Sequence, residues 1–449
     1  MSETAAPFPR QKTLVERVLS LLTDVRPGEG VTALLLTFNV FCLLALYSVL
    51  KPVRSALILS ESGAVAQSYA AAAQASLLLF LVPLYGKFAT MVNRVRLISL
   101  VTMFFAANLL VFYALGLAGV RIGIAFYVWL GIFNMMAPAQ LWAFANDVYS
   151  QERGKRLFPL VGIGGSLGAW IGAEIASALF GRLGPYRLML FGVGGLVVCM
   201  LITIWVHRRE QHRDEVDEPA RETEQPLGKT GGFQLVFRQR YLLYIALLMI
   251  VLNTVNTVGE FLLASLVESE AVKAIAGAAA GTTEANWIGS FMARFQANVN
   301  LLGLVLQMFV VSRIFKYIGV RGALFIQPGI ALLSYTSMAF FPVLSIVRVA
   351  KTMENSSDYS IQNTTRQALF LPTSREAKYK AKQAIDAFFV RFGDMLQAVV
   401  VFIGTTLAFT TQHYALLNIA MTAVWFALAV GIASEHRKLT AAEEPARAA

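Results

Sequence analysis

A succession of apolar runs, each about as long as a helix that crosses a bilayer, constrains this chain more than any other feature. A hydrocarbon core is spanned by about 20 residues of helix. Runs of that kind lie at 31–50, 67–89, 97–118, 122–145, 157–180, 186–206, 241–264, 287–311, 321–343, 345–371, 383–409 and 413–434, referred to below as spans one to twelve. They are too long and too continuously apolar for the dyad alternation of an outer-membrane barrel, and in lipid only helices and closed barrels satisfy their own backbone. With 57% of its 449 residues hydrophobic and 14% charged, the chain carries more apolar surface than a soluble core of this size buries. The predicted class is an all-α membrane protein with twelve transmembrane helices. Span one begins at residue 31 and is followed by Lys51 and Arg54 without a small-residue cleavage site, so it reads as a spanning helix rather than a signal peptide.

The basic residues set an orientation. Arg10, Lys12, Arg17 and Arg26 precede span one; Lys87, Arg94 and Arg96 follow span two; Arg153, Lys155 and Arg156 follow span four. The same side receives the basic residues of the 207–240 segment, Arg313, Lys316 and Arg321, Arg375, Lys378, Lys380 and Lys382, and finally Arg437, Lys438 and Arg447. The opposite side receives Arg121, Arg182, Arg187 and Lys273. By the positive-inside rule both termini are expected in the cytoplasm, and short loops with this asymmetry fit a bacterial inner membrane. The net charge of +11 is thereby accounted for by topology, so no nucleic-acid partner is expected.

The chain divides near its middle. Residues 1–30 form a cytoplasmic segment whose stretch 12–26 places Leu14, Val15, Val18, Leu19, Leu22 and Val25 on one face. That stretch reads either as a helix in the membrane interface or as a short helix packed on the bundle. Six spans occupy 31–206 and six more 241–434, joined by a mixed-charge linker at 207–240 with Pro219, Pro226 and a Gly231-Gly232 pair, and followed by a tail at 435–449. The halves repeat: GKFATMVNRVR at 86–96 is echoed by SRIFKYIGVR at 312–321, and QERGKRLFPLVGIGGSLGA at 151–169 by KAKQAIDAFFVRFGDMLQA at 380–398. Such duplication is what a carrier that rocks two bundles about a central site requires. This organisation resembles the major facilitator fold, and the basic turn after span two looks like a form of that superfamily's cytoplasmic gate motif without its usual acidic residue.

Ionisable residues at membrane depth cost a few kcal/mol each, by about 2.5–3.5 on insertion scales, so those that persist usually face a partner or a water-filled path. Lys51 and Arg54, three apart on one helical face, suit an anionic group or snorkel to the interface. Span seven carries Glu260 beyond a polar line through Asn253 and Asn256, and span eight carries Arg294, Gln296, Asn298 and Asn300; Glu260 and Arg294 are expected to pair. Span ten is the least lipid-like. Arg348, Lys351, Glu354, Asp358 and Arg366 cannot all face lipid, and Lys351, Glu354 and Asp358 share a face that could wall a central cavity beside Tyr359. Span eleven adds Asp386, Arg391 and Asp394.

Other patterns carry less. Gly164, Gly168, Gly172 and Ala176 recur every fourth residue and read as close helix packing. The GGSLG segment at 164–168 fits a nucleophile-elbow pattern but has no strand before it and no placed acid or base, so an enzyme is not expected. Cys42 and Cys199 read as small packing residues, and His207, His212, His413 and His436 match no zinc spacing, so neither a metal nor a cofactor is expected.

Four segments together resemble the nucleotide (ATP/ADP) exchange transporters of plastids and intracellular bacteria: YSVLKPVR at 47–54, LWAFAND at 141–147 with KRLFPLVG at 155–162, the Glu260 region, and REAKYKAKQAID at 375–386. The resemblance implies a twelve-helix antiporter for a highly charged nucleotide, with cations on the phosphates. Lys51 and Arg54 look like that family's basic pair and Glu260 like its span-seven glutamate. The span-four glutamate is absent, with Leu130 or Gly131 near its place, and the span-eleven lysine is replaced by Asp394, with Arg391 one turn earlier. The expected ligand is a small anionic metabolite, ATP or ADP among them, carried by a monomer in a lipid bilayer. Alternatives are a proton-coupled carrier of an unrelated solute, using Glu260, Glu354, Asp358 or Asp394, and a membrane sensor or assembly partner that does not transport.

Overall fold

The computed structural model describes residues 12–20, 23–89, 94–149, 151–214, 231–277, 283–374 and 376–448, all helical or in connections, with no strand among them. Arg10, most of the linker (215–230), the turn at 90–93 and Arg375 lie outside the described residues, as do the side chains of the whole gate-like stretch 86–95 and of Arg447.

Nine helical stretches are long and apolar enough to cross a membrane among these residues. Two of them are bent pairs. Gly30–Ala89 holds spans one and two and turns at Gly63 (φ 82°, ψ 173°), while Gln151–Asp214 holds spans five and six and turns at Gly184 (φ 70°, ψ 177°) ahead of Pro185. Both turns use a positive-φ, extended backbone that is essentially confined to glycine and costs other residues about 1–3 kcal/mol. Proline after Gly184 suits the first turn of a new helix, where its missing N–H is not needed. Span ten is helical from Leu344 to Leu369 through three consecutive segments but is too polar to count among the nine.

The remaining helices cover the spans read from the sequence, with span seven running on well past 264: Arg94–Leu117, Gly123–Val148, Arg240–Ala276, Glu284–Val305 prolonged to Tyr317, Gly319–Ala323 with Ile326–Phe340, Ala377–Ala381 prolonged to Thr406, and Thr411–Ala448. Three differences are instructive. Helix continues past span six to Asp214, a short helix Gly232–Arg238 precedes span seven, and the tail after 434 stays helical to Ala448. Charged and alanine-rich sequence favours helix whether or not lipid surrounds it, so hydropathy does not mark where a helix ends.

The glycine stripe of span five packs on span one. A Cβ on Gly168 or Gly172 would stand 2.2 Å from the carbonyl oxygen of Phe41 or Ala45, so only glycine permits this approach. Asn39 donates to Thr203 (2.9 Å) across spans one and six nearby. Large apolar side chains such as Phe104, Leu115, Leu201, Leu333 and Phe402 face outward around the bundle, as lipid-facing residues do.

At the end that carries the termini, the short helix Leu14–Leu19 is packed on the bundle. Glu16 is buried, and its carboxylate accepts the backbone N–H groups of Thr13 (2.7 Å), Gly28 (2.6 Å) and Gly30 (3.4 Å), capping span one. Leu19 of this helix is buried against the bundle, whereas Leu14 is exposed. Arg156 at the start of span five forks onto Glu29 with contacts of 2.9 and 3.1 Å and strengthens the same corner.

Candidate functional site

Lys351 is fully enclosed. Its Nζ donates to Asn256 Oδ1 (2.8 Å) and Glu354 Oε2 (3.0 Å) and stands 3.5 Å from Glu260 Oε1. The Tyr335 hydroxyl lies 2.9 and 3.0 Å from the two Glu354 oxygens, and Asn355 Nδ2 donates to Glu260 at 2.7 Å. An i, i+3, i+4 spacing puts Lys351, Glu354 and Asn355 on the face that meets spans seven and nine. A buried lysine between two carboxylates needs this set of partners, because each unpaired charge would otherwise be left without water.

Span ten widens into a π-turn at Asp358–Gln362, a feature frequent at functional sites. Tyr359 in that turn leaves the buried network, and Lys51 of the first half reaches it, with Nζ 3.3 Å from the hydroxyl and 5.7 Å from the ring centroid. Arg54 lies 4.3 Å over the ring of Tyr127 in span four. Arg391 pairs with Asp394 at 3.2 Å, Asn253 donates to Asp394 at 2.5 Å, and Arg391 also meets Met135 Sδ of the first half at 3.5 Å. The two halves thus face each other at mid-depth through cations and aromatic rings.

Two expectations are corrected. Glu260 pairs with Lys351 and not with Arg294, because span ten inserts its polar face beside span seven while Arg294 lines a separate cavity. Lys351 and Glu354 do not wall an open cavity; they are buried behind it, and the groups left partly open are Glu260, with a third of its side chain exposed (34%), and Tyr359. Among the described residues Asp358 has no ion pair within 4 Å and Asn298 no side-chain hydrogen bond, and Arg366 bonds only locally to Asn363 (3.2 Å), so these three stand outside the network. Sequence reasoning missed Tyr335, Asn355 and Tyr127. Tyr335 had a signal, a hydroxyl in an apolar span; Tyr127 had none, since a tyrosine in a span is ordinarily packing.

Where the family resemblance expects a span-four glutamate, Leu130 is fully buried and the side chain of Gln74 occupies the space a Cβ on Gly131 would need. At the end away from the termini the halves are closed against each other. Glu268 accepts the backbone N–H of Ala64 at 2.8 Å beside the Gly63 bend, Gln397 donates to Ser68 at 2.8 Å, and Phe180 packs where Gly289 has no side chain.

The chain matches the Major Facilitator Superfamily model over residues 33–366 and the TLC ATP/ADP transporter model over 343–436. It is 20% identical to "ADP,ATP carrier protein 1" of Chlamydia muridarum over 363 residues, 71% of this chain and 66% of that protein. It is 21% identical to the chloroplastic "ADP,ATP carrier protein 1" of Arabidopsis thaliana over 71% of this chain and 55% of that one. The chain therefore spans a little under two thirds of the length of the Chlamydia carrier and about half of the plant one. The solved nucleoside transporter NupG (D323A mutant) superposes with a TM-score of 0.62 at 12% identity, covering 91% of this chain and 99% of that chain. With the bent helix pairs, the facing halves and a model match across most of its length, this chain belongs to the Major Facilitator Superfamily.

Proposed function

We propose that this chain is a secondary carrier that exchanges a nucleotide or another phosphorylated anion by alternating access between its halves. The observation that carries the reading is the central arrangement of Lys51, Glu260 and Lys351: a partly exposed carboxylate 3.5 Å from an enclosed lysine, with a second lysine from the opposite half one ring away on Tyr359. An entering phosphate competes with Glu260 for both cations, so binding draws the halves onto one ligand; Arg54 and Arg391 add positive charge around it. The similarity to ADP,ATP carriers supports nucleotides within this class.

In this reading the units are 1–30, 31–206, 207–240, 241–434 and 435–449, with twelve crossings, both termini cytoplasmic, and a monomer in a bacterial inner membrane. Lys51, Arg54, Glu260 and Arg391 touch substrate, while Lys351, Glu354 and Asp394 position them. A proton-coupled variant is favoured by one feature, Asp358 in the widened turn, which among the described residues has no ion pair within 4 Å. Uptake of labelled ATP into proteoliposomes with and without internal ADP tests the exchange. Uptake stimulated by internal ADP and lost in Arg391→Ala is expected; uptake no greater than in empty vesicles would refute nucleotide exchange, and stimulation by an imposed pH gradient alone would favour the proton-coupled variant.

A further inference from the structure

Away from the central network, at the end opposite the termini, a cavity of about 380 Å³ opens at the seam between spans five and eight, with span ten as its third wall. Arg294 from span eight and Arg348 from span ten line it, and no acidic side chain does. Among the described residues neither arginine has a carboxylate within ion-pair distance. Arg348 stands 5.7 Å from the centroid of Phe291, on which Trp287 stacks at 5.8 Å with the planes 11° apart, giving the cavity an aromatic side. Ser290 and Gly181 face each other across the seam, so both halves contribute to it.

The charge of the cavity argues for a ligand. Arg294 is exposed and Arg348 half-buried, so both are open to an incoming group. Two guanidinium groups that share one cavity repel each other unless an anion lies between them. Their planar forks match phosphate oxygens, and the aromatic side suits the less polar remainder of such a molecule. We propose that this cavity binds a phosphate-bearing anion bridged by Arg294 and Arg348, at a site distinct from the central one. The phosphate comes either from a lipid head group of the adjoining leaflet or from a soluble phosphate at that face.

The test uses the full chain purified in a neutral maltoside detergent and reads its thermal unfolding midpoint. Phosphatidylglycerol is added with diacylglycerol as its phosphate-free control, and inorganic phosphate with chloride at equal ionic strength as its control. A rise of the midpoint by several degrees, absent from the R294Q/R348Q double variant, is expected. A rise with phosphatidylglycerol alone assigns the site to lipid, and one with inorganic phosphate assigns it to soluble anions. No rise with either, or an equal rise in the double variant, overturns the proposal. Should the double variant lack a cooperative transition, R348Q is measured in its place, and an undiminished rise there overturns it equally.

Discussion

Replacing Lys351 by methionine tests whether the buried network behaves as one electrostatic unit. Methionine keeps the length and apolar volume of the stem but removes the cation that lies 3.0 Å from Glu354 and 3.5 Å from Glu260. Breaking a buried pair by deleting one partner costs about 3–5 kcal/mol, because the remaining charge stays enclosed. Glu354 is 1% exposed and keeps only the Tyr335 hydroxyl as a side-chain donor, so its residual compensation is a single charge-assisted hydrogen bond of about 1.5–3 kcal/mol. Glu260, partly exposed and still bonded to Asn355, recovers by hydration. The expected loss for Lys351→Met is therefore about 3 kcal/mol. Glu354→Gln alone leaves Lys351 with Glu260 and Asn256 and costs about 1–2 kcal/mol. The double variant removes both enclosed charges, so it should be more stable than the sum of the singles by about 2 kcal/mol. Unfolding by titration with sodium dodecyl sulfate in mixed micelles, followed by tryptophan fluorescence, measures all three against the native chain. Additive losses, or a Lys351→Met variant within about 0.5 kcal/mol of the native chain, would refute the argument.

Three further expectations concern separate parts of the molecule. Gly172→Val drives a side chain into the Ala45 carbonyl, 2.2 Å from the first carbon alone, and should cost about 1–3 kcal/mol of stability, whereas Gly194→Ala, with nothing within 4 Å, should not lower the unfolding midpoint by this route. Glu268→Ala removes the acceptor of the Ala64 N–H and should weaken closure at the end opposite the termini by about 1–2 kcal/mol, read as roughly tenfold faster labelling of a cysteine placed at Ser68. Glu29 precedes the first membrane-spanning segment; burial pushes its carboxyl up, but the Arg156 guanidinium and the Arg26 N–H outweigh that and hold it below its ordinary value. A depressed carboxylate contributes stability that is fully present above the ordinary glutamate value of about 4.3 and is lost as pH falls through the lower folded value. Acid unfolding of Glu29→Gln should accordingly show a shallower dependence on pH below about 4, and an unchanged slope would remove Glu29 from the account.

The parts of this molecule that were legible in its sequence are those governed by a local or periodic cost. Crossing lipid demands continuous apolar helix, so most span starts were located closely while several helix ends, such as Ala276 after span seven, were not, and the every-fourth glycines of span five declared a close approach because no other residue allows one. The charges of spans seven, ten and eleven declared themselves for the same reason: they are too costly in lipid to be there without partners. What the sequence could not supply was which partner each would take. Glu260 had candidates on spans eight and ten at similar depth, and the choice between Arg294 and Lys351 depends on how span ten is rotated about its axis, which the widened turn at Asp358–Gln362 alters by inserting an extra residue into one helical turn. No pattern of hydropathy encodes that turn. Its consequence is that the charge-rich face divides in two: Lys351 and Glu354 turn inward toward Tyr335, while Tyr359 points across to Lys51. The enclosed half of the face holds the helix in place, and the half that reaches the other bundle is where a ligand can change the balance between two arrangements, since only groups that contact both halves distinguish one arrangement from the other.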